Sequence, residues 1–585
     1  MQHSAKAKPY KALVDRPYGY YTLDEDELAR FKWWVTYDPI HSPYPLTPLA
    51  GSICARNWQQ GHTGAAEITH LPMSKGTEDR ISPEGWGSIA ASGMPTTPEE
   101  MKERGQLFRE RMVPYLERFD EMWGDFRHKG KVGDRLREIQ ENYARIGTFD
   151  PETWSFDSEK FFANLEKMPN IDLYELLFET IRIAARHWVI HFEIMYLIST
   201  IYMTFEGLTK ELLGFTDTDP RFQRLIQGFD NKIYEFDREL WRLIHLAVNL
   251  GLADIFKEVS ERELVSRLTE TDAGKEWLGE FRQFLKTYGR RSPSPHDVFK
   301  VTWFEEPAPV LVMIKDYIAT GLIDYDAERR KIVADREKAV AEALEKVPSE
   351  RKEEFKKLLK AAQIAYCWNE DHDYWIEQLG HSSIRYVILE MGKRLHKAGA
   401  IADPNDIFFL NTDEIRATFL IAVHGYYDFR EFVDQRKARF EVAPAKVPPR
   451  ITGEWAREEV KAPQFIKVHG LGPRVAPAEK VDIFGYPGAP GVAEGTARVI
   501  TDVGEVYRIE PGTILVTTAT GPVWTPIFAK LKGVVTDAGG TLTHAAVVAR
   551  EYGIPAVVGT DDATHRIKDG QTIRVDGNNG YVWIV

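Results

Sequence analysis

The run from Gly539 to Ala556, Gly-Gly-Thr-Leu-Thr-His-Ala-Ala-Val-Val-Ala-Arg-Glu-Tyr-Gly-Ile-Pro-Ala, constrains this chain more than any other stretch. A glycine turn and two threonines lead to one histidine, and small and apolar residues then recur at helical spacing, which places His544 at a helix start. The first N–H groups of a helix have no intrahelical partner and together carry about half a positive charge, so such an end holds anions. The same field favours a neutral imidazole, which is a nucleophile. Gly539 and Gly540 let backbone approach a phosphoryl group, and the hydroxyls of Thr541 and Thr543 can donate to its oxygens. The plainer alternative is an ordinary helix start with Thr543 as its cap.

The 585 residues allow several domains and a large core. Two cysteines, Cys54 and Cys367, support neither a disulfide framework nor a Cys-based zinc site, which fits a reducing compartment. A net charge of −13 argues against nucleic acid as a general partner. The N-terminus lacks an apolar signal core and no stretch reads as long enough to span a bilayer, so the expectation is a cytoplasmic protein with no membrane partner.

Periodicity divides the chain into a multidomain α+β protein. Residues 1–98 read as a loop-rich N-terminal layer packed on a mostly helical domain, 99–440, with helical patterns at Met101–Asp125, Leu173–Glu206, Arg221–Leu250 and Asp326–Lys346. Residues 441–480 carry six prolines, Pro444, Pro448, Pro449, Pro463, Pro473 and Pro477, and read as a linker. Residues 481–585 alternate short β-rich runs with one clear helix, the pattern of a small α/β unit.

The segment around His544 resembles the phosphohistidine signature of the phosphoenolpyruvate-utilising enzymes, a superfamily that includes pyruvate phosphate dikinase, phosphoenolpyruvate synthase and rifampin phosphotransferase. The likeness covers about the last hundred residues, through Gly488 to Gly495, Ile514-Leu515-Val516, Pro522 to Pro526 and Pro555 to Gly559. It implies that the α/β unit is a swivelling domain, that His544 is phosphorylated in each cycle, and that the proline-rich tether lets one imidazole visit two sites. Neither the barrel nor the nucleotide-grasping domain of the dikinases is read in this chain, and no Walker-type run occurs. The resemblance therefore implies ATP and Mg2+ on a separate ATP-binding subunit.

The acceptor is expected in the helical domain. Asp326 to Leu395 resembles the acceptor domain of rifampin phosphotransferase, but Asn369-Glu370 stands where relatives often place Arg-Glu. Transfer to a hydroxyl needs a base and cations: Glu370 or His372 can supply the first, Arg290, Arg291 or Arg385 the second. His41, in the aromatic stretch Trp33 to Leu49, is a candidate lining residue for a flat acceptor. His187 and His191 stand one turn apart without the acidic pair of a zinc helix, so no metal is assigned. The whole most resembles the histidine-bearing subunit of the phenylphosphate synthase family. That resemblance implies transfer from phosphohistidine to a phenolic hydroxyl, with AMP and phosphate as co-products. Two alternatives stand beside it: a rifampin-like antibiotic or other small-hydroxyl phosphotransferase, and a phosphorelay or scaffold passing phosphate to another protein.

Overall fold

The computed structural model describes residues 7–12, 15–23, 35–37, 44–69, 76–92, 99, 102, 103, 106, 107, 110, 133–150, 155–216, 219–294, 296–320, 325–446, 451, 452, 470, 477 and 480–585. His41, nearly all of the helix expected over 101–125 and most of the proline-rich stretch lie outside these residues.

The described structure is a large helical body carrying a smaller, strand-rich C-terminal unit. Its spine is the 44-residue helix Asn170–Leu213, about 66 Å long at 1.5 Å per residue. The helix ends at Gly214, which takes φ 65° and returns its N–H to the carbonyl of Lys210. Contrary to the sequence expectation, this helix is long and apolar enough to cross a membrane by length and composition; 61% of its most apolar window is buried inside the protein, as in a core helix. Packed along it in the N-terminal layer is helix Pro48–Thr69, which periodicity missed. Glycine hides it: Gly51, Gly61 and Gly64 lower helix propensity but open a close approach, and a Cβ at Gly61 would lie 2.8 Å from the carbonyl oxygen of Trp188. The pattern read over 221–250 divides into Pro220–Ile226 and Lys232–Asn249, each opened by a side-chain cap, from Asp219 and Asn231.

We label the helices that build the site α1 (Asn170–Leu213), α2 (Lys352–His372), α3 (Leu379–Lys397) and α4 (His544–Tyr552). Between α2 and α3 the chain stays helical but opens into one π turn, Asp373–Gln378. The C-terminal unit is an eight-stranded sheet of β1 (Ile483–Phe484), β2 (Tyr486–Ala489), β3 (Val492–Val499), β4 (Ile514–Thr517), β5 (Gly533–Thr536), β6 (Ala556–Val558), β7 (Thr572–Asp576) and β8 (Tyr581–Ile584), in the order β2-β6-β5-β4-β3-β7-β8-β1. Strands β3 to β6 pair in parallel, with antiparallel strands on both sides. The runs Ile-Leu-Val-Thr and Gly-Val-Val-Thr of β4 and β5 are buried along their whole length, as parallel strands covered on both faces must be. The connection from β5 to β6 runs through α4, which sets His544 beyond the carboxyl end of β5, where open parallel sheets hold ligands. One apolar core runs from Tyr366 and Trp368 of the body into Trp524, Leu542 and Val547 of the C-terminal unit. A second, between β-strands Ile514, Val535, Val557 and Val575, covers the other face of the sheet.

Candidate active site

The turn that presents His544 is built from glycine and back-folded hydroxyls. Gly539 takes φ 113°, and a Cβ there would lie 2.7 Å from Thr543 Oγ1, so this position admits little but glycine. Thr543 donates to the carbonyl of Gly540 at 2.8 Å; its backbone occupies the cap position, but its side chain does not cap the helix. Arg550, one face down the helix, donates to the carbonyl of Thr541 at 2.7 Å and holds the turn from below. Asp537, at the head of the turn, accepts from the backbone N–H of Thr564 at 2.9 Å, and burial pushes its carboxyl up to about 6. Of the four residues expected to hold phosphate, only Thr543 lines the open cavity. Gly539, Gly540 and Thr541 are buried in the turn beneath it, because the chain must fold back on itself to start the helix there.

The imidazole of His544 meets the helical body. Its Nδ1 lies 3.1 Å from Glu370 Oε2 and its Nε2 lies 3.2 Å from Thr525 Oγ1. A carboxylate only accepts, so Nδ1 carries the proton and the lone pair of the neutral ring sits on Nε2. Asn369 donates to Glu370 Oε1 at 2.9 Å and to the carbonyl of Leu542 at 3.0 Å, tying the acid and the turn together. Further contacts seat the C-terminal unit on the body: Glu551 accepts from Arg329, from Tyr366 at 2.9 Å and from the backbone of Gly228 at 3.1 Å, and Tyr552 donates to Asp237 at 2.7 Å.

His544 faces a cavity of about 430 Å³ walled from both sides. The C-terminal unit contributes Thr518 to Pro522, Trp524, Leu542 and Thr543; the body contributes Tyr44, Trp86, Met195, His296 and the acidic wall Glu370, His372, Asp373 and Glu377. The π turn assembles that wall. In an α-helix, residues five apart stand about 140° apart around the axis, whereas a π turn, bonded i to i+5, brings them back towards one face. His372 and Glu377 thereby meet, Nε2 to Oε1, at 3.5 Å. Glu377 also receives His191 Nδ1 at 3.3 Å and His296 Nε2 at 3.2 Å. Burial opposes its ionisation, but the contacts with His296 and His372 and the nearby imidazoles outweigh burial and hold it well below the usual range. Burial and the charge of Glu377 drive Asp373 the other way.

Several expected residues stand elsewhere. Arg290 is buried between Phe156 and Tyr386 and donates to Ser158 and Ser383. Arg291 is buried over the Phe236 ring. Arg385 grips Glu305 through two bonds, at 2.8 and 2.9 Å, and the carbonyls of Val298 and Phe299. None of the three lines the cavity, so the cationic role expected of them is corrected: each neutralises or packs within the body. His187 turns to Asn142 at 3.1 Å, and burial lowers it to about 3; its helical neighbour His191 points instead to Glu377. His41 lies outside the described residues, while its neighbours Tyr44 and Pro45 line the cavity. Sequence reasoning missed Thr525, His296, Asp373 and Glu377. Thr525 lies within Pro522–Pro526, a loop already singled out; nothing local marks His296 or Glu377.

Residues 509–580 match the PEP-utilising enzyme mobile domain, and residues 191–370 match the rifampicin phosphotransferase fourth domain. Chondramide synthase cmdD of Chondromyces crocatus is 34% identical over 580 residues, which is 96% of this chain and 14% of that protein. The uncharacterized phosphotransferase YvkC of Bacillus subtilis (strain 168) is 32% identical over 403 residues, covering 68% of this chain and 47% of YvkC. A rifampicin phosphotransferase of Bacillus cereus is 31% identical over 345 residues, covering 56% of this chain and 37% of the enzyme. The chain spans less than half the length of each of these relatives.

Proposed function

We propose that this chain, which carries the mobile domain of the phosphoenolpyruvate-utilising enzymes beside a domain of the rifampicin phosphotransferase type, is a phosphotransferase. In this reading it carries a phosphoryl group on His544 to the hydroxyl of a small acceptor. The observation that supports the reading is the imidazole of His544 at the wall of a cavity, its Nδ1 held by an acid from the other domain and its Nε2 left with the lone pair. In the charging step ATP, bound on a separate subunit with its Mg2+, gives its β-phosphoryl group to Nε2 and its γ-phosphoryl group to a water, leaving AMP and phosphate. In the transfer step the acceptor oxygen bonds to phosphorus, the P–N bond breaks, and its electron pair returns to Nε2. The acceptor proton passes to water in the cavity. During transfer Glu370 keeps the proton of the ring on Nδ1, so in this reading it is a positioning group rather than the expected base.

A cavity of about 430 Å³ lies at the lower end of ligand sites, which run from about 300 to 1,000 Å³, and Tyr44, Trp86 and Trp524 suit a flat ring. These features favour a phenolic acceptor, whose hydroxyl near pKa 10 is easier to ionise than an alcohol. The second reading, an antibiotic hydroxyl, is favoured by the rifampicin phosphotransferase relatives. The test mixes the chain with a candidate ATP-binding subunit and ATP labelled at the β position. Acid-labile label on His544 that chases onto phenol but not onto rifampicin supports the first reading; chase onto rifampicin alone moves the proposal to the second. Label from the γ position, or none on His544, overturns the cycle.

A further inference from the structure

Glu377 is surrounded by more imidazole than one carboxylate can balance. His191 from α1, His296 from the segment after residue 288, and His372 from the end of α2 all direct a ring nitrogen at it, and all four side chains are buried. The tautomer of His372 is decided by its other nitrogen: Nδ1 lies 2.8 Å from the carbonyl of Trp368, which can only accept. In the neutral ring, the nitrogen facing Glu377 at 3.5 Å therefore carries a lone pair, and lone pair faces carboxylate. Such a contact is repulsive unless a proton or a cation lies between. A backbone carbonyl on the far nitrogen is also the usual outer-shell partner of a metal-binding histidine.

The distances suit a cation. Ligands at about 2.0–2.1 Å around a tetrahedral ion stand about 3.3–3.5 Å from one another. The edges from Glu377 Oε1 to His191 Nδ1 and to His372 Nε2 are 3.3 and 3.5 Å, and one ligand atom from each of the three side chains lies within 4.8 Å of the others. His296 Nε2 holds the second oxygen of Glu377 at 3.2 Å and fixes its orientation. Two imidazoles and one carboxylate suit a divalent first-row ion such as Zn2+, Mn2+ or Fe2+. His372 and Glu377 line the same cavity as His544, which places the cluster at the cavity wall.

We propose that His191, His372 and Glu377 bind one divalent transition-metal ion, with His296 as the outer-sphere support of the carboxylate, and that the hydroxyl of the acceptor completes its coordination. Coordination lowers the pKa of a bound hydroxyl, as it does that of bound water, and the proton passes to cavity water. The bound oxygen is then presented to the phosphoryl group on His544. The last step rests on the phosphotransferase reading above; the ion-binding step does not.

The full-length chain, stripped with chelator and dialysed, is titrated with Co2+ and separately with Zn2+. Bound metal is counted by mass spectrometry, and the visible ligand-field bands of Co2+ report its coordination. The expected result is one ion per chain, with affinity reduced in Glu377→Gln and His191→Asn by more than the 10- to 100-fold that an outer-shell change costs. His296→Gln should fall within that range. Matching circular dichroism spectra exclude misfolded variants, and His544→Ala, dead in phosphoryl transfer, should bind Co2+ like the parent. The metal reading is thus scored apart from the relay. No stoichiometric ion, or binding unchanged by both ligand substitutions, overturns the site. Full transfer by metal-free protein overturns the role in acceptor binding and leaves the cluster as an imidazolium–carboxylate pair.

Discussion

At the scale of single residues, the division of labour around one imidazole sets separable expectations. His544→Ala should take up no label and transfer none, with the circular dichroism of the helical body unchanged. Glu370→Gln is the sharper probe, because on the proposed cycle Glu370 belongs to the acceptor side while charging takes place away from it. The variant should accept label at a near-normal rate and pass it on about 100-fold more slowly, since an amide no longer enforces the proton on Nδ1. Rapid-quench measurement of the two half-reactions checks this; equal loss in both would remove Glu370 from its assigned place. The prominence of His544 was legible because its signal is local: a glycine turn, a helix start and small neighbours, all within a few residues. The arginines were not. Nothing local in Tyr-Gly-Arg-Arg separates a guanidinium that packs between Phe156 and Tyr386 from one that faces a cavity, and the distinction arises only when distant rings close around it.

At the scale of elements, the turn before α4 and the π turn carry the site. Asp537 braces the first, and its buried carboxyl, raised to about 6, binds a proton that the unfolded chain releases near 4. The sign follows from linkage. Its protonated form is favoured in the fold, so the contribution to stability is complete below about pH 4 and is lost as pH rises through about 6, at most about 3 kcal/mol. Asp537→Asn should flatten the melting temperature of the C-terminal unit between pH 4 and pH 7, as read by calorimetry; an unchanged slope would contradict the assignment. The parallel strands and the main helices could be read from the chain because apolar runs and 3.6-residue spacing are properties of contiguous sequence. The π turn could not, since it is an interruption of that spacing. Nor could the grouping of His191, His296, His372 and Glu377, which come from separate elements and meet only through packing.

At the scale of the whole molecule, the C-terminal unit is seated on the body by a continuous apolar core and by Glu551, which gathers Arg329, Tyr366 and the backbone of Gly228. Breaking a buried ion pair from one side costs about 3–5 kcal/mol. Glu551→Ala should therefore shift the unit away from the body, raising amide exchange along residues 544–552 and slowing transfer more than charging. Exchange that stays at the parental level would show that the apolar contacts alone decide seating.

The cavity has two makers, and on the proposed cycle one of them arrives with the phosphate. Residues Thr518 to Pro522, Trp524 and His544 close the side that the body leaves open. On that cycle, an acceptor enclosed by that wall has to be in place before the charged domain comes home, and its product leaves only after the domain departs. Loading order is thereby written into the architecture: in a pulse-chase experiment, acceptor bound beforehand should capture the first phosphoryl group in preference to acceptor added afterwards.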